Sequence, residues 1–312
     1  MRKSIALALM AALAAALLTA PSSQAESCAA PGKDWVKSEN SKAGDRSWNS
    51  GVPFRLSADF SRRKNIDRVE GYFDTTSLQC GQSAALTLVG AKSARVEIYR
   101  MGYYNGAGAR QVSSVKIKSG WSFTASQSYL PGQYLFKLIA EKRAATFVPL
   151  VISNPEIESD LTFISSVLTW QSYNQWGGQS LYKGADGNRE TKATTVTFDR
   201  PYDGDGSGQF RYMEQPLGTL IEKQGLDINY VTDIDVHSDA QIFANTSTII
   251  FGGHSEYWTE AMRLHFESAI TQGKNLIVFG GNTGYAKTEI DGRKISGRTP
   301  YRELGRPESQ LL

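Results

Sequence analysis

The spacing of apolar and polar residues divides the chain near residue 154, where an Asn-Pro pair interrupts the pattern. Between residues 69 and 153, apolar and polar positions alternate in short runs separated by turn residues, as in half-buried strands. The clearest runs are 85–89, 95–99, 134–139 and 146–151. Strands that follow one another roughly every 8–12 residues without helices are typical of two packed sheets. We therefore predict a small all-β sandwich for 69–153.

After residue 154 the period changes, because helical patterns now separate the apolar runs. Strands are predicted at 161–168, 194–198, 226–231, 248–251 and 275–279. A helix over 217–224 is closed by Gly225, and a second helix is capped by the hydroxyl of Thr259. Alternating strands and helices indicate an α/β domain over 154–312, with a parallel sheet covered on both faces. Ligands of such sheets bind beyond the carboxyl ends of the strands.

The first 25 residues have the three parts of a secretory signal peptide. Arg2 and Lys3 form a positive start, 5–20 is an uncharged apolar run, and Ser23-Gln24-Ala25 offers small residues before a cut. The run is short for a membrane span, which needs about 20 apolar residues. We predict a secreted or periplasmic protein that has no membrane contact after cleavage and begins with a polar lead-in segment, 26–68.

Net charge and cysteine content indicate which binding partners and which cross-link to expect. Cleavage removes Arg2 and Lys3 and no acid, so the formal net charge falls from +3 to +1. This balance gives no indication of nucleic acid or an anionic membrane as a partner. Cys28 and Cys80 are the two cysteines, and one pair in an exported protein most simply forms a disulfide, although two free thiols are the alternative. The oligomeric state stays open, a homo-oligomer included.

Polar and aromatic residues cluster where the predicted α/β strands end. The clusters contain Tyr173, Tyr202, His254 with Glu256, and Asn282 in a Gly280-Gly281-Asn282 segment. Glycines at these points let backbone and ligand approach closely. Each of these side chains could instead be a packing residue with a satisfied polar group. Their meeting at one sheet edge nevertheless makes a metal or substrate site the hypothesis to test.

Residues 203–214 offer a different cation site. Asp203, Asp205, Ser207 and Glu214 occupy positions 1, 3, 5 and 12 of a calcium-loop pattern, with Gly208 at position 6. Ser replaces the usual Asp or Asn, and a strand rather than a helix precedes the loop. The competing interpretation is a solvated turn before a helix. The usual hydrolase signatures are missing, since there is no Gly-x-Ser-x-Gly elbow and no cysteine near these clusters.

Several motifs together resemble one family. WQSYNQWGGQSLY, VTFDRPY, GGHSEYW and FGGNTGY follow in the order found in the large (beta) subunit of N,N-dimethylformamidase and its relatives. The preceding VEIYRMGYYNGAGAR and PGQYLFKL are similar to the Ig-like sandwich of many members. The resemblance runs from about residue 69 to the end. It implies a flavodoxin-like domain, related to class I glutamine amidotransferase folds but without their cysteine.

The resemblance also implies a mononuclear iron site, with Tyr173, Tyr202 and Glu256 as ligands and His254 and Asn282 as catalytic residues of the pocket. A phenol titrates near pH 10, so tyrosinate ligands need a hard cation such as ferric iron. The iron would polarise an amide carbonyl or a bound water. His254 and Asn282 would donate hydrogen bonds to the developing oxyanion.

The expected activity is hydrolysis of a C–N bond in a small-molecule or polymer-derived amide of unknown identity. Ser255 and Ala286 depart from the residues common in the family, and the last residues resemble the middle of the family domain. We therefore expect a fragment or a truncated product, whose general base the sequence does not identify. The alternative function is a non-catalytic envelope or extracellular protein that binds carbohydrate or peptide.

Overall fold

The computed structural model describes residues 27–52 and 67–306. The predicted signal peptide, 1–25, lies outside these residues, as does part of the lead-in segment. No helix of the described chain has the length and apolarity needed to cross a bilayer.

Two sheets, whose strands pair mostly antiparallel, form the N-terminal half of the described chain. One has the order β1-β3-β6 and the other β2-β8-β7-β4-β5. The strands are β1 Glu70–Phe73, β2 Ser77–Gln79, β3 Ser83–Val89, β4 Ser93–Met101, β5 Ala109–Lys118, β6 Trp121–Thr124, β7 Gly132–Ile139 and β8 Thr146–Ser153. Residues of both sheets share one apolar core, for example Phe73 and Leu86 from the first and Val96 and Phe136 from the second. A two-sheet core of this kind follows from the alternating pattern, although the structure does not establish an Ig-like topology.

The lead-in segment packs on this half. Helix α1, Trp35–Ser41, buries Trp35, and Trp48 is also buried, as their apolar surface requires. A disulfide joins Cys28 to Cys80, which confirms the predicted pairing. The bridge ties the start of the described chain to the turn between β2 and β3.

A four-stranded parallel sheet of order β11-β9-β12-β14 organises the C-terminal half. Its strands are β9 Leu161–Ser165, β11 Ile228–Thr232, β12 Thr248–Phe251 and β14 Asn275–Val278. The helices of this half are α2 Val167–Tyr173, α3 Gln215–Gln224, α4 Asp233–Ser238 and α5 Glu260–Thr271. Thr259 caps α5 by accepting from the Met262 amide at 3.2 Å, as the sequence predicts.

The predicted strand 161–168 is too long. It ends at Ser165, and Val167 and Leu168 begin α2, all of whose residues before Tyr173 are buried. A fully buried helix has no polar face, so its periodicity resembles that of a buried strand. The helix starts there because the buried carboxylate of Asp233 accepts from the Leu168 amide, at 3.1 Å.

A second, mixed sheet was not predicted. It has the order β10-β16-β15-β13, with β10 Thr195–Thr197, β13 Tyr257–Trp258, β15 Ala286–Asp291 and β16 Lys294–Pro300. The sequence assigned 194–198 to the parallel sheet, but β10 instead pairs antiparallel with β16. The chain is thus mostly β with mixed sheets and few helices. Its parallel sheet is present, but a flavodoxin-like fold is not established.

Candidate functional site

Three of the predicted site residues lie together beyond the carboxyl ends of the parallel strands. His254 and Glu256 lie in the loop that follows β12, and Tyr173 is the last residue of α2, which follows β9. The loop after β14 joins them, because the backbone carbonyl of Gly281 contacts the His254 ring. This is the edge at which parallel sheets of α/β proteins bind ligands.

Glycines allow these loops to approach one another. A Cβ at Gly280 would lie 2.3 Å from the carbonyl oxygen of Gly253, and one at Gly252 would lie 2.1 Å from the Phe163 ring. Neither distance is compatible with a side chain. Gly252 after β12 and Gly280 after β14 are therefore required by packing at the site.

Two of the three side chains converge on one carboxylate oxygen of the third. The Tyr173 hydroxyl donates a short hydrogen bond to Oε2 of Glu256. The same oxygen lies 3.0 Å from Nε2 of His254, which is 3.3 Å from the Tyr173 hydroxyl. The side chain of Glu256 is 1% exposed and that of His254 is 18% exposed. A buried carboxylate of this kind is stable only with close hydrogen-bonding or charged partners.

The Gly281 carbonyl determines the tautomer of His254, that is, which ring nitrogen carries hydrogen when the imidazole is neutral. Nδ1 lies 2.8 Å from that oxygen, and a carbonyl can only accept, so Nδ1 carries hydrogen. In neutral imidazole, Nε2 then presents a lone pair towards Glu256 and Tyr173. A lone pair and a carboxylate at 3.0 Å repel each other unless a proton or a cation lies between them.

Burial and hydrogen bonding set opposite protonation states for the acid and the phenol. Burial alone would raise the pKa of Glu256, but hydrogen bonds from His254, when a proton lies between its Nε2 and the carboxylate, and from Tyr173 and Arg298 outweigh burial and lower that pKa. Burial, followed by the hydrogen bond to the Glu256 carboxylate, raises the pKa of Tyr173 well above its usual value. Without a cation, Glu256 is therefore an ionised acceptor and Tyr173 a neutral donor.

Arg298 and Tyr257 complete the site and were missed by the sequence analysis. Nη2 of Arg298, on β16, donates to Oε1 of Glu256 at 2.7 Å, and its Nε donates to the Tyr257 hydroxyl at 2.9 Å. Tyr257 directly follows Glu256, which was a usable signal. No sequence pattern around residue 298 identifies Arg298 as a site residue. It lies 42 positions after Glu256, and the pairing of β13, β15 and β16 brings it to the site.

Tyr202 does not join this cluster. Its ring packs at 6.0 Å from that of Trp170 and lines a different cavity, with Arg200 and Arg293, against the N-terminal half. Within residues 27–52 and 67–306, no hydrogen bond connects Tyr202 to Tyr173 or Glu256. The structure thus brings together two of the three ligands that the family resemblance implies, and His254 with them.

Asn282 lies at the rim of the site. It is exposed, has a left-handed backbone with φ of 57°, and follows Gly281, whose carbonyl holds His254. Its own carbonyl accepts from the Tyr285 amide at 3.1 Å, which closes the turn. Its side chain is exposed next to the residue that holds His254.

The alternative calcium set is not assembled. Asp205 pairs with Arg211 at 2.7 Å, and Asp203 accepts from the Gln175 amide at 3.0 Å. Glu214 is buried away from both and accepts from the Ser166 amide at 2.9 Å and from Nε1 of Trp170 at 3.1 Å. Across the described chain, no three His, Cys, Asp or Glu side chains are arranged to hold a metal ion. The π-helical turn Phe210–Glu214 directs Glu214 inwards, where a calcium loop needs it beside Asp203.

Comparison with known families gives one match over most of the chain. A family model described as "N,N-dimethylformamidase beta subunit-like, C-terminal" matches residues 95–306. The matched range contains Tyr173, Tyr202, His254, Glu256 and Asn282. No curated protein matches the sequence.

Solved structures give only weak similarity. A cycloisomaltooligosaccharide glucanotransferase of Paenibacillus sp., complexed with cycloisomaltoheptaose, is 11% identical with a TM-score of 0.21, over 54% of this chain and 27% of its own. A β-glucuronidase from Ruminococcus gnavus, in complex with N1-substituted uronic isofagomine, is 8% identical with a TM-score of 0.17, over 67% of this chain and 40% of its own. The chain therefore spans well under half of either protein, and similarity at this level supports no inference about fold or function.

Proposed function

The chain belongs to the N,N-dimethylformamidase beta subunit-like family, and from that premise we propose that it hydrolyses a C–N amide bond with the help of a metal ion. One observation supports this most strongly. Tyr173 and His254 converge on a single oxygen of the buried Glu256, at the ligand-binding edge of a parallel sheet. We further propose that the α/β domain, 154–312, is flavodoxin-like. We also propose that the protein acts after export, in the periplasm or outside the cell.

The geometry of the three donor atoms suits a cation. Three ligands at about 2.0–2.2 Å from one ion lie roughly 2.8–3.6 Å from one another in tetrahedral or octahedral arrangements. Nε2 of His254 lies 3.0 Å from the Glu256 oxygen and 3.3 Å from the Tyr173 oxygen, within that range. The closer Tyr173–Glu256 contact is a hydrogen bond that loss of the phenol proton would remove.

The third ligand differs from the one that the family resemblance implies. Tyr202 lines a separate cavity, and no hydrogen bond of the described chain links it to Tyr173 or Glu256. His254 fits that position, because the Gly281 carbonyl leaves its Nε2 lone pair directed at the cluster. We propose that Tyr173, His254 and Glu256 hold the metal. Ferric iron is the metal proposed, since a tyrosinate needs a hard, highly charged cation.

The protein side chains then have separate tasks in the reaction. A bound metal supplies Lewis acidity towards an amide carbonyl or a water. Arg298 holds Oε1 of Glu256 and so leaves Oε2 directed at the cluster. Tyr173 releases its proton to solvent when the site is loaded. The exposed amide of Asn282 donates to the substrate carbonyl as negative charge develops on its oxygen.

The test combines metal content with a spectrum. We expect the purified protein to contain about one iron per chain and to absorb in the visible range through tyrosinate-to-iron charge transfer. Tyr173→Phe removes the tyrosinate and should abolish that absorption, and Glu256→Gln should abolish metal retention. Tyr202→Phe is the matched control, and it should leave both the spectrum and the metal content unchanged.

Amide turnover is then measured on a panel of small amides with the loaded protein. Turnover that is lost in Tyr173→Phe and kept in Tyr202→Phe supports the proposal. A protein that retains no metal and shows no amide turnover contradicts it, and binding of glycans by that protein would support the non-catalytic alternative. Loss of the spectrum in Tyr202→Phe would restore the ligand set implied by the resemblance.

A further inference from the structure

Arg298 has a hydrogen-bonding edge that no other residue of the described chain uses. Its Nε and Nη2 are engaged by Tyr257 and Glu256, at 2.9 and 2.7 Å. Within the part of the chain that the structure describes, Nη1 forms no hydrogen bond with another residue, and the side chain is 23% exposed. A guanidinium presents five N–H groups in a flat fork, so an Nη1–Nη2 edge remains available for a second acceptor.

Tyrosines hold this fork in place. The guanidinium carbon of Arg298 lies 5.4 Å from the ring centre of Tyr285, 5.7 Å from that of Tyr257 and 6.0 Å from that of Tyr182. Contacts of this kind fix a guanidinium plane without using its hydrogen-bond donors. The fork is therefore preorganised, which lowers the entropic cost of binding a planar anion.

Further cations surround the same aromatic wall. Arg302 lies over Tyr285, at 5.5 Å, and Arg189 lies over Tyr182, at 4.6 Å. Both arginines are exposed. Glu256 is the one acid that contacts Arg298 in residues 27–52 and 67–306, and it is buried behind the guanidinium. The surface that a substrate meets at this wall is therefore cationic and aromatic.

We propose that the substrate is an amide that carries a carboxylate near the scissile bond, as an N-acyl amino acid does, and that the outer edge of Arg298 binds this carboxylate. The inference rests on the proposed amide hydrolysis for the identity of the scissile bond. A neutral amide would leave the fork unpaired after losing its water, whereas a carboxylate satisfies both N–H groups in a bidentate pair. Arg302 and Arg189 add attraction at the rim.

The experiment compares matched neutral and anionic amides. N-acetylglycine and N-acetylglycinamide differ only in carboxylate against carboxamide, and the N-benzoyl pair repeats the comparison with a larger acyl group. Kd for each probe is measured by calorimetry with the Tyr173→Phe protein, and kcat/KM is measured with the iron-loaded wild-type protein. The quantity compared is the ratio of the acid's value to the amide's value, for binding affinity and for kcat/KM, within each protein. A general loss of activity therefore cancels in the kcat/KM ratio.

We expect the acid of each pair to bind and react about 10-fold or more better than its amide, as a charge-assisted bidentate pair predicts. Arg298→Lys keeps the charge but loses the fork, and the ratio should fall towards one. Arg302→Gln should lower the ratio about twofold and chiefly through KM. Arg95→Gln, an exposed arginine of the N-terminal sandwich, should leave it unchanged.

Two failures can be told apart. Hydrolysis of acid and amide with equal kcat/KM overturns the carboxylate inference and leaves the proposed function standing. Selective binding of the acids without any turnover contradicts the proposed hydrolysis and leaves the anion site standing. Failure of both acids to bind at millimolar concentration, or an unchanged ratio in Arg298→Lys, overturns the inference.

Discussion

At the scale of single residues, the carboxyl groups show how much environment outweighs residue type. Glu256 and Glu214 are both buried, yet their pKa values move in opposite directions. Burial raises the pKa of Glu214 to about 8, despite hydrogen bonds from Ser166, Trp170 and Gln133. For Glu256, the hydrogen bonds, one of them from a guanidinium, outweigh burial. Glu256 accepts from His254, Tyr173 and the Arg298 guanidinium, whereas no cationic side chain donates to Glu214 in the described chain.

Glu214 gives a pH prediction. In the unfolded chain it titrates near its ordinary pKa of 4.5, and in the folded protein near 8. Between these values the folded state binds more protons, so this group's contribution to the free energy of unfolding declines as pH rises, by at most about 1.4 kcal/mol per unit. Urea unfolding from pH 5 to 8 measures the slope. We expect Glu214→Gln to flatten it, and the exposed Glu158→Gln to leave it unchanged.

A slope that is identical in wild type and Glu214→Gln would contradict this assignment. The same comparison tests the rejected calcium set. If Glu214 instead bound calcium, added calcium would raise the free energy of unfolding of the wild type and not of the variant.

At the scale of elements, a buried ion pair connects three parts of the chain. Arg100, on β4, donates to both oxygens of Glu222, on α3, and both side chains are fully buried. Asn40 of α1 donates to the same carboxylate at 2.8 Å, and Tyr230 of β11 donates at 2.7 Å. The lead-in helix, the sandwich and the parallel sheet therefore share one polar network within the described chain.

We predict that Arg100→Ala destabilises the protein by about 3–5 kcal/mol, because it leaves Glu222 charged and buried without its partner. The matched control is Arg95→Ala on the same strand, whose pair with Glu97 is partly exposed and should contribute about 0–1 kcal/mol. Chemical denaturation measures both. A cost for Arg100→Ala no larger than that for Arg95→Ala would show that the network does not hold these elements together.

The elements themselves were predictable to different degrees. The predicted run 248–251 matches β12 residue for residue, because its apolar run is short and bounded by polar residues and glycines. The cap at Thr259 and the closing Gly225 were also predicted, since both act through local hydrogen bonds and backbone conformation. The hairpin β15–β16 was missed because its buried positions, such as Ala286 and Thr288, carry few large apolar side chains.

At the scale of the whole molecule, the disulfide is the one covalent link between distant segments of the described chain. It closes a loop of 52 residues between Cys28 and Cys80. A cross-link of this length stabilises the folded state by about 2–4 kcal/mol, chiefly by restricting the unfolded chain.

We therefore expect reduction to lower the midpoint of denaturation, measured with and without reductant at equal pH. Cys28→Ser with Cys80→Ser should match the reduced wild type and show no further response to reductant. Equal midpoints for oxidised and reduced wild type would mean that the bridge does not stabilise the fold. Thiol titration of the unfolded protein confirms the redox state in each case.

Features that depend on near neighbours follow from the sequence alone. These include the positions of most strands, the helix caps, the disulfide partners as the one available pair, and the family, through motifs that are each short and contiguous. It also placed Tyr173, His254 and Glu256 at strand ends, because the edge at which parallel strands terminate is fixed by their direction.

Which of these side chains meet depends on contacts between distant parts of the chain. Tyr202 carries a family motif, yet the strand before it, β10, pairs with β16 outside the parallel sheet, and Tyr202 lines another cavity. The same second sheet brings Arg298 to Glu256 from 42 positions away. Strand pairing between distant segments depends on the packing of the whole chain, and no local pattern of residues encodes it. The chemistry of the proposed site thus rests on a sheet that the apolar pattern did not predict.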